Sequence, residues 1–207
     1  MGGFERWIDP NRDVVLDARN LRGLAHPVRV RLLGALRHDG PSTATRLGHR
    51  LGLSSGATSY HLRQLAGYGF VVEDEDHRDA PGRERWWRAA HRSTWLTEPP
   101  DDPESSAALS EYGRALARSH AERVDAWLDE EETAPAAWRR IGGVSDTLLL
   151  LDAGQAEELA KRILEVLASY PRADGPEPGS EPGPGERRPV VVQWHLLPQL
   201  QDGPDTP

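Results

Sequence analysis

The sequence predicts an α+β protein in two parts: a set of short helices closed by a pair of strands, then a smaller α/β part introduced by one long helix. Three observations carry this expectation. Between about residues 13 and 96, apolar residues recur at three- and four-residue spacing in short segments separated by glycine and proline turns, and two β-type runs close the series. A proline-rich stretch, EPPDDPE, then precedes an apolar stripe that spans residues 104–130. Charge also changes sign along the chain: residues 11–95 hold 14 Arg and no Lys against 9 Asp and Glu, about +5, and residues 96–207 hold 10 Lys and Arg against 22 acids, −12. A basic module carried by an acidic one fits the total of −8.

Residues 13–25 read as a first helix with Val15, Leu16, Leu21 and Leu24 inward. His26-Pro27 ends it and starts a second helix to about Arg37, because proline suits a first helical turn and restricts the residue before it. Its Val28, Leu32, Leu33 and Leu36 face inward, with Arg29, Arg31 and Arg37 outward or flanking. Asp39-Gly40-Pro41 is a turn, and Ser42 caps a third helix whose inner stripe is Ala44, Leu47 and Leu51.

Gly52-Leu53-Ser54 then turns tightly into a fourth helix, capped by Ser54. Thr58, Leu62 and Leu65 recur at i, i+4 and i+7 on its inner stripe, and Gly67 and Gly69 end it. Two short helices joined by a glycine-containing turn form a helix-turn-helix, whose second helix enters a DNA groove. Residues 70–74 and 83–90 read as strands separated by the polar loop EDHRDAPG, a hairpin in the position of a wing. Trp86 and Trp87 must point to opposite faces of their strand, one to the core and the other onto a neighbouring helix, with direct stacking on DNA as the alternative.

The candidate DNA-binding residues follow from this placement. Ser54, Ser55, Gly56, Ala57, Ser59, Tyr60, Arg63 and Gln64 form a small or polar face on the fourth helix, slim at its N-terminal turn. Arg63 and Gln64 have the reach and donors for base edges, Arg toward guanine or a phosphate and Gln toward adenine. Thr43 stands at the start of the third helix, where a hydroxyl and backbone N–H groups meet a phosphate, and Arg78 and Arg83 stand at the wing.

The run LAHPVRVRLLGAL, followed by TRLGHRLGLSSGATSYHLRQLAGYGFV and GRERWWRA, resembles the winged helix-turn-helix of bacterial transcription regulators of the arsenic-repressor (ArsR) family over roughly residues 14–96. The resemblance implies a homodimeric double-stranded-DNA-binding regulator, often a repressor released by an effector. Metal-sensing members carry a cysteine pair that aligns with Thr43 and Thr45, so a thiolate sensor is excluded at that site.

The expected layout is a winged helix-turn-helix domain at 12–96, a linker at 97–103, a C-terminal domain at 104–200 and a tail at 201–207. On the long helix at 104–130, Leu109, Tyr112, Leu116, Val124 and Trp127 form the expected dimerisation stripe, with packing inside the chain as the alternative. Residues 144–151 read as a buried-type strand, and Asp152 caps a helix to about Tyr170, with Gln155 completing a capping box and Leu159, Ile163, Val166 and Leu167 inward. Residues 171–188 are too rich in proline, glycine and charge to fold, and PVVVQWHLLP resumes as a strand expected to pair with 144–151.

No other chemistry is marked. The chain has no cysteine, no phosphate-cradling glycine loop and no Ser/His/Asp set beyond coincidence, so no catalytic residue or cofactor is expected. His120, Glu122 and Asp125 share one helix without a second nearby histidine, which is too few converging ligands for zinc, and no metal is expected. Tyr112, Trp127, Trp138, Trp194 and His195 are open to two readings, an unknown small-molecule effector pocket or a small core. A protein-interaction module without DNA binding is a further alternative for the winged helix. The longest apolar run, 147–151, is far too short to span a bilayer, and a cytoplasmic protein is the expectation.

Overall fold

Asp17 sets where the first helix begins. Its carboxylate accepts from the Asn20 backbone N–H at 2.6 Å while the Asn20 side chain accepts from the Asp17 N–H at 2.8 Å, a reciprocal cap that opens α1 at Ala18–Leu24. The computed structural model describes residues 5–77, 84–171 and 188–199. It divides the chain into two compact units, one holding the described residues up to 145 and the other the described residues from 146 onward.

The predicted first helix is therefore shorter than its apolar pattern. Asp13–Val15 forms strand β1, parallel to β5 at Ser93–Trp95, with Asp13 opposite Ser93. The reason is non-local: Asp13 is buried and its carboxylate accepts from the Ser93 hydroxyl at 2.5 Å. Helix α2, Pro27–Asp39, starts where His26-Pro27 places it, with His26 Nδ1 accepting from the Val28 N–H at 3.2 Å.

The third helix, α3 at Ala44–Leu51, is capped by Thr43, not by Ser42. Ser42–Thr43 is itself a short strand, β2, paired antiparallel to Trp86 and Trp87 of β4 (Trp86–Ala89). That ladder holds Thr43 extended, as a cap requires, and its hydroxyl accepts from the Arg46 N–H. β4 also pairs antiparallel with β3, Val71–Glu73, so the three-stranded sheet runs β2–β4–β3.

Helix α4, Ser55–Gly67, turns Thr58, Leu62 and Leu65 fully inward, as the stripe predicts. With Leu24 of α1, Leu32 of α2 and Phe70 they form the centre of the core, all at 0–1% exposure. Each such apolar side chain contributes about 1.5–3 kcal/mol relative to exposure. Trp87 joins this core, and Trp86, on the other face of the strand, lies 4.7 Å from the Arg46 guanidinium of α3.

Arg37, expected to be outward or flanking, is drawn in. Its Nε donates to the His91 carbonyl and its Nη2 to the Thr94 hydroxyl, both at 2.9 Å, tying α2 to β5. Burial pushes its pKa down to about 10, with the Tyr112 hydroxyl and Asp13 acting in the opposite direction.

Helix α5, Pro103–Glu130, carries the stripe expected as a dimer face. It packs along α1 and α2; Leu109 and Tyr112 lie against the N-terminal core, and Leu116, Val124 and Trp127 are half-buried along the same side. Trp127 rests on Gly142, where an added Cβ would come within 2.4 Å of the ring. Arg22–Glu104 at 3.2 Å and Arg31–Glu122 at 2.9 Å tie the helix to the same neighbours. Within the protomer, α1 and α2 offer this side of the helix an apolar surface at no cost in association entropy. A 3₁₀ turn at Glu131–Thr133 and a short helix α6, Ala136–Arg139, follow.

In the second unit, α7 at Ala153–Ala168 has the Asp152–Gln155 capping box that the sequence predicts. Of its expected inner residues, Leu159, Ile163 and Leu167 are half-buried and Val166 is 59% exposed. The expected sheet is absent among the described residues: no strand forms at 144–151 or at 189–198. The loop expected at 171–188 and the tail fall almost entirely outside the described residues. The aromatic set weighed as a pocket is divided, with Tyr112, Trp127 and Trp138 in the first unit and Trp194 and His195 in the second.

Candidate nucleic-acid interface

The turn between α3 and α4 is set by backbone geometry. Gly52 takes φ +69°, a left-handed conformation that an L side chain rarely adopts, and its N–H returns to the Gly48 and His49 carbonyls. The Leu53 N–H bonds to the Gly48 carbonyl at 2.8 Å, closing the helix end. Gly48 lets the two helices meet: a Cβ there would lie 2.8 Å from the Leu53 carbonyl oxygen and 3.0 Å from Thr58 Oγ1. The crossing of α3 and α4 is thus specified at a position without a side chain.

Beyond the turn, Ser54 Oγ accepts from the Ala57 N–H at 3.2 Å and starts α4. Ser54, Ser55, Gly56, Ala57, Tyr60 and Arg63 are exposed, and Ser59 and Gln64 are half-buried on the flanks. Arg63 makes no ion pair or hydrogen bond among the described residues. Gly56 is not required by the fold, since a Cβ there would meet nothing within 4 Å. Tyr60, 53% exposed, stands edge-on to His61, whose ring lies 4.5 Å from that of His26.

Residues of three elements enclose a concavity of about 340 Å³ beside this face: Thr45 of α3, Ser55, Ser59 and Arg63 of α4, and Glu84 and Arg85 at the base of the hairpin. Thr45 Oγ1 donates to Glu84 Oε1 at 2.6 Å. This bond, then one to Thr43 and the nearby Arg46 charge, holds the Glu84 carboxyl below its usual range. A carboxylate therefore sits at the N-terminus of α3, where free N–H groups favour an anion.

The predicted residues divide accordingly. The α4 set is brought together on one surface. Thr43 is 2% exposed and spends its hydroxyl on the cap and on Glu84, so Thr45 presents the surface hydroxyl at this helix end. Arg78 and Arg83 lie outside the described residues. Sequence reasoning missed Thr45, Arg46, Glu84 and Arg85 as members of the site. Their available signal was the one-residue shift of the α3 cap and the charged pair just before the tryptophans.

Among the described residues no cluster of three or more potential metal ligands exists, and no helix is long and apolar enough to cross a membrane. Residues 24–74 match the family model of a helix-turn-helix domain, a type that binds DNA in transcription regulators. No curated protein matches the chain.

Proposed function

We propose that the chain is a sequence-specific, double-stranded-DNA-binding transcription regulator of the arsenic-repressor type, acting as a homodimeric cytoplasmic repressor on an inverted-repeat operator. The observation that carries this reading is the exposed N-terminal face of α4, with Arg63 beside it making no ion pair or hydrogen bond among the described residues, and the helix crossing specified by Gly48 and Gly52. A slim, polar helix end projecting from a rigid turn is what a major groove admits. The match of residues 24–74 to a helix-turn-helix domain supports the same reading.

In a dimer, two such helices meet successive major grooves about 34–36 Å apart, which favours an inverted repeat. Thiolate metal sensing has no basis in a chain without cysteine, so control rests with a different effector or with DNA alone.

Selection of bound fragments from genomic DNA followed by gel shift tests the reading. Wild-type protein is expected to retain a palindromic site, with affinity that falls as salt rises. Arg63→Ala is expected to weaken that binding roughly 10- to 100-fold, the scale of one base contact, at unchanged thermal stability because Arg63 is exposed. Equal affinity of variant and wild type would remove α4 from the groove.

A further inference from the structure

Trp86 gathers side chains from two other segments on the outer side of the three-stranded sheet. Its neighbour Trp87 is in the core, so along β4 Trp86 points the other way. The ladder sets Trp86 opposite Thr43, the cap of α3, and this brings its ring to the first turn of that helix. There the Arg46 guanidinium lies over the ring, 4.7 Å from its centre. The His77 imidazole stacks on the same ring, 4.3 Å between centres and 16° between planes. His77 is held in turn, since its Nδ1 bonds to the carboxylate of the buried Asp74. The Asp74 N–H donates to the Trp86 carbonyl at 3.0 Å and ties this pair to the base of the hairpin.

The arginines around this ring differ in their commitments. Arg50 of α3 pairs with Asp39, Arg85 with Glu73 at 3.1 Å, and Arg88 with Asp74 at 3.7 Å. Arg46 is exposed, and its side chain makes no ion pair or hydrogen bond among the described residues. The Glu84 carboxylate feels its charge but is bonded to the Thr45 hydroxyl. A contact with an aromatic face holds a guanidinium in place and leaves its N–H donors unspent. It also settles in advance the rotamer freedom that a long side chain otherwise loses on binding. The first helix of a helix-turn-helix lies across the sugar–phosphate backbone, and Arg46 is in its first turn.

We propose that Arg46 contacts a backbone phosphate of duplex DNA, and that Trp86, His77 and Asp74 are its positioning residues. The inference rests on the proposed DNA-binding function and deepens it: Arg46 fixes how α3 sits on the backbone and so the register in which α4 meets the groove. It also makes the base of the hairpin and the start of α3 one rigid unit at the DNA surface. A stack that merely fastened the hairpin to α3 would contribute stability and leave the salt dependence of DNA binding untouched.

Binding measured across a range of salt concentrations tests it, on the fragment that the wild type selects and on an unrelated duplex of equal length. Arg46→Ala is expected to weaken binding to both by a similar factor, on the order of tenfold, and to lower the slope of log affinity against log salt by about one. Arg46→Lys should keep the slope, because the charge stays, and recover only part of the affinity. Trp86→Leu should weaken binding roughly two- to fivefold, the scale of an exposed cation–π contact, at an unchanged slope, and Trp86→Phe should recover most of that loss. His77→Ala, which removes no core side chain, should act in the same direction as Trp86→Leu. An Arg46→Ala slope equal to that of the wild type would overturn the phosphate contact. Trp86→Leu and His77→Ala proteins that lose stability in urea yet bind as the wild type does would overturn the positioning. A wild type that binds neither duplex would overturn the DNA-binding reading and this inference with it, whereas a wild type that binds and an Arg46→Ala variant that binds identically overturn the inference alone.

Discussion

At the scale of single residues, the proposed DNA interface combines groups that would favour DNA with one that would oppose it. Glu84 places a carboxylate on the Thr45 hydroxyl at the start of α3, a position a phosphate would otherwise take. Glu84→Gln keeps the carbonyl oxygen that Thr45 bonds to and removes the charge. Operator affinity is expected to rise roughly two- to fivefold in a gel shift, the scale of an exposed charge interaction. An unchanged or weaker complex would mean that no phosphate approaches this helix end. Gly56 separates folding from binding in a similar way. An Ala Cβ meets open space there, so Gly56→Ala should stabilise α4 by about 0.5–1 kcal/mol in urea denaturation while weakening DNA binding through its bulk in the groove. Both positions stand in the sequence, but only Gly56 was read there as part of the proposed site. Glu84 acquires its role from a bond to a residue 39 positions away.

At the scale of elements, the helix starts at His26-Pro27, Ser54 and Asp152 were legible, whereas the caps Asp17, Thr43 and Asp102 and the helix partners were not. Asp17, His26, Ser54, Asp102 and Asp152 each cap a helix by accepting from a backbone N–H two or three residues on, an interaction that lies within one turn of chain. The α5 stripe was equally visible, yet its spacing is the same whether it faces α1 and α2 or a second copy. The crossing of α3 and α4 depends on Gly48 in a way that gives a sharp expectation. Gly48→Ala presses a methyl on the Leu53 carbonyl, backbone that cannot swing aside, and should cost about 1–3 kcal/mol of stability in urea denaturation. Operator binding should weaken with it, because the turn aims α4. A neutral Gly48→Ala would mean that the two helices can separate slightly without loss.

At the scale of the whole molecule, burial of neutral histidines sets a pH dependence. His26, His61 and His91 all lie below the ordinary histidine value, with burial the first cause in each; His26 and Arg29 act further on His61, Arg29 on His26, and Arg37 on His91, where Asp13 opposes. A histidine whose folded pKa is lowered leaves the unfolded chain binding more protons below about pH 6.5. The stability is therefore present above that pH and is lost as pH falls toward the lowered folded values. Thermal unfolding followed from about pH 7 to about pH 5 should show a falling Tm, with a shallower fall in the His26→Gln, His61→Gln double variant. A Tm that rises on acidification would contradict the neutral state of the His26–His61 pair. Composition and spacing by themselves determined the basic helix-turn-helix module, the helix starts at His26-Pro27, Ser54 and Asp152 and the polar, exposed face of α4, because caps, turns and amphipathic stripes are written within about one helical turn. Tertiary structure alone decided that residues 13–15 pair with β5, that Arg37 is buried and that α5 packs along α1 and α2. Each of these depends on which surface, among several of like chemistry, lies within reach after the chain has folded, and reach is a property of the assembled fold.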